Sequence, residues 1–380
     1  MHRRGLLVAG ATLSIGALLD RQHLAWAQRA EDFAPTASER RAMADAAAEF
    51  MRAYDVPGLG VAIARQGSLV YDEAFGFADK EAGTMLTAAH RFRIASVSKA
   101  ITAVAIFTLI EQRGLDLQDR VFGRDAILGD DFGSVAPSSQ LDQITIEHLL
   151  THTSGGWPND GNDPMFHEPQ LDHSGLIAST LKHRPLTSHP GAKYAYSNFG
   201  YCVLGRVIEK VTRRSYASYV QEAVLSRAGI RDMEIAGNAL ADRRPQEVCY
   251  YGQDGENPYQ INVRRMDAHG GWLARPAALA IFASHVDGFS RQSLLRPDSI
   301  RAMTTASAAN ANYAKGWLVN QFNNWWHNGS LPGTITIIVR THSRFCWAAF
   351  INTRRPNSAI GLDLDKLIWA MARKVGSWSA

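Results

Sequence analysis

The apolar positions of this chain fall into three textures. Residues 100–110 form a run whose only polar side chains are Thr102 and Thr108, with no glycine or proline. A segment apolar on every side and free of helix breakers predicts a helix buried all round, and Gly114 is placed to close it. Upstream, residues 31–35 read as a linker. Thr36-Ala-Ser-Glu39 has the spacing of a capping box and opens an alanine-rich helix that runs to about Tyr54. Apolar stretches at 58–65 and 68–75 flank Gln66-Gly67 and read as a β-hairpin.

From Leu115 to about Ser307 the texture changes to helical patterns joined by polar loops bearing glycine and proline. The periodicity predicts helices over 144–151, 176–183, 199–211, 216–228 and 276–286, with a Gly-, Pro-, Asn- and Asp-dense loop at 155–169. The last third returns to strands, at 314–320, 324–328, 334–340 and 345–353. A closing helix over 358–375 carries Ile360, Leu364, Leu367, Ile368 and Met371 on one stripe.

Strands at both ends and helices between them imply an α/β (α+β) fold. One antiparallel sheet is built from 28–114 and 308–380 and flanked by the terminal helices, and an all-helical domain at 115–307 is inserted into it. A cleft between the two parts is where long loops would place chemistry. Hydrophobic residues at 46% and charged residues at 20% are those of a globular protein. No internal repeat is visible.

The first residues have a different character. Met1-His-Arg-Arg4 is basic, 5–19 is apolar and rich in small residues, and Ala25-Trp-Ala27 has the form of a cleavage site. We read 1–27 as a signal peptide that leaves a chain starting at Gln28, exported to the periplasm or secreted. Arg3-Arg4 followed by Gly-Leu-Leu resembles a twin-arginine signal; a general secretory signal with two arginines is the other reading. No other stretch is apolar enough to span a membrane, so no stable membrane insertion is expected once the signal is removed. The signal holds Arg3, Arg4, Arg21 and Asp20, so its removal lowers the net charge from +4 to +2, too little to argue for nucleic-acid binding. Cys202, Cys249 and Cys346 are odd in number and widely spaced, which favours buried thiols over a disulfide and offers no metal pattern.

The chemistry starts at Arg93-Ile-Ala-Ser-Val-Ser-Lys99, at the mouth of the apolar helix. Ser96 and Lys99 are three apart and so share one helical face. A hydroxyl needs a base to become a nucleophile, and a desolvated lysine can be neutral enough to serve. Short motifs are weak alone: an N-capping serine and a snorkelling lysine would look the same. Two companions change the weighing. Tyr196-Ser-Asn198 puts a phenol and a carboxamide in a turn just before a helix, as a proton carrier and a holder of a carbonyl or ammonium group. His327-Asn-Gly329 ends a strand, with a donor or cation beside a glycine that lets a substrate approach the backbone.

Together, Ser96-x-x-Lys99, Tyr196-x-Asn198 and His327-x-Gly329 resemble the serine β-lactamase and penicillin-recognising D,D-peptidase superfamily, in its class C-like branch. That branch holds class C β-lactamases, D-alanyl-D-alanine carboxypeptidases, D-aminopeptidases and family VIII esterases. Leu149-Leu-Thr-His-Thr-Ser-Gly155 and His269-Gly-Gly-Trp-Leu-Ala274 are similar to further segments of these proteins, and the resemblance covers about 37–375. It implies that Ser96 is acylated, that Lys99 and Tyr196 share the proton transfers, and that Asn198 helps to hold the substrate. It also implies an oxyanion hole of the Ser96 and Ser330 backbone N–H groups, and a substrate carboxylate placed by His327.

The resemblance implies an exported serine hydrolase working through an acyl-enzyme on a peptide-like amide or ester, of D,D-peptidase or carboxypeptidase type. A class C-like β-lactamase or a family VIII-type carboxylesterase is the alternative. A penicillin-binding sensor with little turnover is the alternative from another class. β-Lactamases carry Lys-Thr-Gly where this chain has His-Asn-Gly, and a histidine is mostly neutral near neutral pH; this disfavours the β-lactamase. Among the remaining features, Trp157, Trp325 and Trp326 are expected to line the cleft, and Trp317, Trp347 and Trp369 to sit in the core. His152 is expected to be a bonded structural histidine. Asp160, Asp163 and His167 share a loop without metal-site spacing, so no metal and no cofactor is assigned. The expected partner is a small substrate, and the oligomeric state is left open.

Overall fold

The computed structural model describes residues 33–288 and 293–378; the signal-peptide expectation for 1–27 lies outside them. The helices are α1 (Ala37–Tyr54), α2 (Ser98–Glu111), α3 (Ile146–Leu150), α4 (His173–His183), α5 (Asn198–Thr212), α6 (Tyr216–Val220), α7 (Pro276–Val286), α8 (Pro297–Thr304) and α9 (Ile360–Ala372). The main sheet takes β1 (Gly58–Arg65), β2 (Ser68–Asp79) and β3 (Thr84–Met85) from the start of the chain. Short pieces β4 (Phe92–Arg93), β5 (Glu234–Ile235) and β7 (Trp272–Ala274) form a second sheet, and β6 (Tyr251–Gly252) pairs in parallel with β12 (Thr353–Arg354). The end of the chain adds β8 (Leu318–Val319), β9 (Trp325–Leu331), β10 (Thr334–Arg340) and β11 (Phe345–Ile351). The main sheet runs β3-β2-β1-β11-β10-β9-β8 and is antiparallel throughout. This is the mixed α/β architecture, with an antiparallel sheet and covering helices, that the hydrophobic pattern implies.

The central strands bury both faces, which is why they read as continuous apolar runs rather than as alternation. Leu59, Val61, Ile337, Val339, Trp347 and Ala349 face α1 and α9, and the whole predicted stripe of α9 is buried there. The alternate positions Ala62, Ala64, Ile338, Ala348 and Phe350 belong to one cluster with α2, α5 and α7. Sheet and these helices therefore share a continuous apolar interior, and α2 runs through it with every residue from Ser98 to Leu109 buried.

Several local expectations shift for identifiable reasons. Thr36 caps α1 with both arms of the capping box formed. Helix α2 closes through a left-handed Arg113 (φ 60°) rather than Gly114, whose N–H instead donates to the Leu109 carbonyl. The strand expected at 314–320 shrinks to Leu318–Val319, because Gly316 turns the chain with φ 82° against α2. A Cβ on Gly316 would lie 2.5 Å from the Ala103 Cβ and 3.0 Å from the Lys99 carbonyl oxygen. The helix expected over 216–228 changes pitch twice, from α to a wider five-residue turn (Gln221–Leu225) and then to a tight one (Ser226–Ala228). Helix α8, opened by Pro297 with Asp298 in its first turn, is an element the hydrophobic pattern did not reveal. All three cysteines are buried and free. Among the described residues no helix is long and apolar enough to cross a membrane, and no group of ligating side chains could hold a metal ion.

Candidate active site

Ser96 does not begin the α-helix; it sits in a tight 3-10 turn, Ala95–Val97, between β4 and α2. The turn is strained. Ala95 has φ 48°, a left-handed conformation that costs an L-residue roughly 1–2 kcal/mol. Hydrogen bonds on both sides hold it. The Ile94 N–H donates to the Trp272 carbonyl (2.9 Å), while Thr336 Oγ1 and Thr334 Oγ1 donate to the carbonyls of Ile94 (2.7 Å) and Arg93 (3.1 Å). Strand β10 thus clamps the turn through β-branched hydroxyls that face it.

Gly329 in β9 completes the clamp. A Cβ there would fall 2.2 Å from Thr336 Oγ1 and 2.3 Å from the Ile94 carbonyl oxygen, closer than any real contact. The sequence suggested that this glycine lets a substrate approach the backbone. In the fold it is the protein's own Ser96 turn that approaches.

Lys99 is fully buried, and its Nζ has three polar neighbours: Ser96 Oγ at 3.0 Å, Asn198 Oδ1 at 2.7 Å and the His269 carbonyl oxygen at 2.9 Å. Two of these can only accept. The orientation of Asn198 is set by its amide Nδ2, which donates to Asp163 Oδ2 at 2.7 Å and so turns Oδ1 toward the lysine. Burial pushes the Lys99 pKa well below its ordinary value, opposed by the carboxylate of Asp163. A neutral amine has two N–H bonds and one lone pair. With the N–H bonds given to Asn198 and His269, the lone pair is left for the Ser96 hydroxyl.

Asp163 is the residue that sequence reasoning missed. By its spacing in the sequence it is only an acidic loop residue without a metal-site pattern. In the structure it caps the turn Pro164–Phe166, accepts from the Met165 N–H, and fixes Asn198 from a buried position. Its only signal in the sequence was the density of Asn, Asp and Pro in that loop.

Tyr196 hydrogen-bonds Ser96 through its hydroxyl, and its ring lies 4.9 Å from Lys99 Nζ. Burial holds the phenol above its ordinary pKa, a shift the Ser96 hydrogen bond opposes, so at neutral pH it is a proton-bearing group. His152 fixes this segment. Its Nδ1 accepts from the Ser197 N–H (3.0 Å), its carbonyl accepts from the Ala195 N–H, and its ring packs 4.2 Å from that of Tyr196. It is the bonded structural histidine expected from the sequence.

His327 is placed beside these groups, but not as a cation. Its Nδ1 contacts the Asn328 carbonyl oxygen (2.8 Å) and therefore carries the proton, leaving Nε2 to accept from the Tyr313 hydroxyl (3.2 Å). Burial, reinforced by the charge of Lys99, pushes its pKa down to about 3. The expectation that His327 pairs with a substrate carboxylate as an imidazolium is therefore corrected: the ring is desolvated and both nitrogens are occupied.

The tryptophans are corrected as well. Trp157, 4% exposed, packs on Phe199 and donates its indole N–H to the Arg184 carbonyl (3.0 Å), so its ring belongs to the core and not to the cleft. Trp325 is buried against Trp317, and Trp326 packs on the opposite face of the sheet, towards α1 and α9. Ser330 is exposed at the open end of β9, where its Oγ accepts from Arg354 (3.3 Å), an arginine itself paired with Glu256.

A strained serine turn, a buried lysine whose lone pair faces the serine, and a tyrosine and an asparagine brought from a second segment define a protein built around a serine–lysine pair. A family model described as Beta-lactamase matches residues 43–367, and the chain belongs to the beta-lactamase family. Protein flp of Staphylococcus aureus (strain MRSA252) is 23% identical over 299 residues, covering 75% of this chain and 57% of that protein. The chain thus spans little more than half the length of that relative.

Among solved structures, the octameric penicillin-binding protein homologue from Pyrococcus abyssi superposes with a TM-score of 0.69 at 23% identity, over 88% of this chain and 78% of its own. The D-amino acid amidase from Ochrobactrum anthropi SV3, complexed with L-phenylalanine amide, gives 0.73 at 19% identity, over 89% and 98%. At these identities the likeness is one of fold.

Proposed function

We propose that the chain is a serine hydrolase that cleaves a small amide or ester, of the kind found in amino-acid amides, through an acyl-enzyme. The observation that carries this reading is the three-way coordination of Lys99, which leaves its lone pair to Ser96. Ser96 Oγ attacks the carbonyl carbon while its proton passes to Lys99 Nζ. The negative charge that appears on the carbonyl oxygen is met by the backbone N–H groups of Ser96 and Ser330, each worth roughly 3 kcal/mol in comparable sites. Tyr196, hydrogen-bonded to Ser96, passes its proton to the leaving nitrogen or oxygen as the C–N or C–O bond breaks. It takes the proton held by Lys99 in its place, so the lysine is neutral and the phenol protonated again. Water then repeats the sequence on the ester to release the acid and restore Ser96.

The choice of substrate follows from His327. A substrate with a free carboxylate gains from a cation facing it, and a neutral buried imidazole at His327 supplies none. Neutral amides and esters lose nothing by its absence. The amidase among the structural neighbours supports the same choice. We read 1–27 as the export signal of this enzyme.

The test is a substrate panel of D- and L-amino-acid amides, a D-alanyl-D-alanine peptide, nitrocefin and a short p-nitrophenyl ester, each with wild type and Ser96→Ala. Turnover of amides or esters that vanishes in Ser96→Ala is expected. Covalent trapping of penicillin without turnover of any substrate would replace the hydrolase with a sensor.

A further inference from the structure

We propose that the groove beside the β8–β9 hairpin binds a neutral sugar chain. This goes beyond the hydrolase reading and does not depend on it. The groove encloses about 560 Å³, within the range of small-ligand sites. It is bordered by the hairpin loop 320–324, by Asn312 and by the end of α8 at Thr304. No charged residue lines it, and carboxamides make up much of its wall: Asn312, Asn320, Gln321, Asn323 and Asn324. Phe322 stands at its rim with 63% of its surface exposed, in a protein that leaves few large apolar side chains in water.

Turn chemistry accounts for part of this composition only. Asn320 Oδ1 accepts from the N–H groups of Phe322 (3.0 Å) and Asn324 (3.1 Å), and Asn323 takes a left-handed φ of 56°. Asn324 Oδ1 accepts from the His342 N–H (2.8 Å). The fold thus uses the carbonyl ends of Asn320 and Asn324. Among the described residues, their Nδ2 groups and the carboxamides of Asn312, Gln321 and Asn323 make no hydrogen bond. Nothing in the hairpin requires Gln321 or an exposed Phe322.

These groups match one ligand chemistry. A carboxamide offers a donor and an acceptor in one plane, the pattern that adjacent sugar hydroxyls present in reverse. An aromatic face covers the C–H side of a pyranose ring. The lack of charge gives an anionic ligand nothing to pair with. Asn312 directly precedes Tyr313, the partner of His327, so groove and active site share one segment.

The experiment titrates the folded chain with chitotriose and maltotriose, with a sulfated disaccharide and an uncharged hexapeptide as contrasts, by calorimetry at low and high salt. Saturable millimolar or tighter binding of a neutral trisaccharide is expected, independent of salt. The double variant Gln321→Ala/Phe322→Ala should weaken it about tenfold or more, with the same thermal midpoint and unchanged hydrolysis of the best small substrate. Phe322→Tyr, which keeps the ring, should retain binding. Failure of both trisaccharides to bind at tens of millimolar would overturn the proposal. So would binding that the double variant leaves intact, or binding of the sulfated sugar or the hexapeptide alone.

Discussion

Tyr313 donates its hydroxyl to Nε2 of His327 across 3.2 Å, and by doing so fixes the third motif of the site as an uncharged one. The other imidazole nitrogen is committed to the Asn328 carbonyl, and burial holds the ring's pKa near 3. A histidine in this state neither attracts a carboxylate nor titrates in the range in which a free histidine does.

Nuclear magnetic resonance of the His327 ring should therefore show the neutral form with the proton on Nδ1 from about pH 8 down to about pH 4. Hydrolysis of a substrate in its free-acid and ester forms should have the same pH dependence between about pH 6 and 7. Protonation of His327 in that interval, with better binding of the free acid below it, would restore the carboxylate role.

Stability should fall on acidification for a related reason. His152, His269 and His327 are all held below their ordinary pKa, with burial the first cause. The unfolded chain takes up these protons near pH 6.5 and the folded chain only at lower pH. The histidine contribution is thus intact above about 6.5 and is lost as pH falls towards the folded values. Each histidine adds a slope of up to about 1.4 kcal/mol per pH unit. Urea midpoints measured from about pH 8 to 4 should decline, and His327→Gln should flatten the decline. A variant as acid-sensitive as wild type would show that His327 is not among its causes.

Lys99 sets the acid limb of activity. Its pKa is lowered, so the neutral base persists below the usual lysine range, and kcat/KM should drop as pH falls through the depressed value. Lys99→Arg, a permanent cation, should cost about a thousandfold. Asp163 raises the Lys99 pKa by its charge, so Asp163→Asn should move the acid limb to lower pH. It should also lower kcat, because the carboxylate that turns Asn198 is gone. An unmoved acid limb in Asp163→Asn would break the proposed chain from Asp163 to Ser96.

Gly329→Ala tests the clamp on the serine turn. Its Cβ would overlap Thr336 Oγ1 and the Ile94 carbonyl oxygen, so β9 or the turn must shift. A loss of about 1–3 kcal/mol in stability is expected, together with loss of acylation. A stable, active Gly329→Ala protein would mean that the turn does not rest on this strand as described.

Material recovered after export should start at or near Gln28, on the strength of Arg3-Arg4, the apolar run and Ala25-Trp-Ala27. N-terminal sequencing decides it; a chain beginning at Met1 would defeat the signal reading.

What the sequence determined by itself was whatever depends on periodicity and on short spacings along the chain. The capping box of α1, the β1–β2 hairpin, the stripe of α9 and the all-round burial of α2 follow from neighbours within a few residues, and each is in the fold. The i to i+3 spacing of Ser96 and Lys99 likewise needs only local geometry to bring the two side chains within 3.0 Å. Charge state, partner choice and close approach were not local. Asp163 and Asn198 are 35 positions apart, and Gly329 meets Ile94 across more than two hundred. Whether His327 is a cation depends on how much water the packing removes and on where the Tyr313 hydroxyl points. Only the tertiary structure decides these, because desolvation and long-range hydrogen bonds are properties of the packed interior and leave no period in the chain.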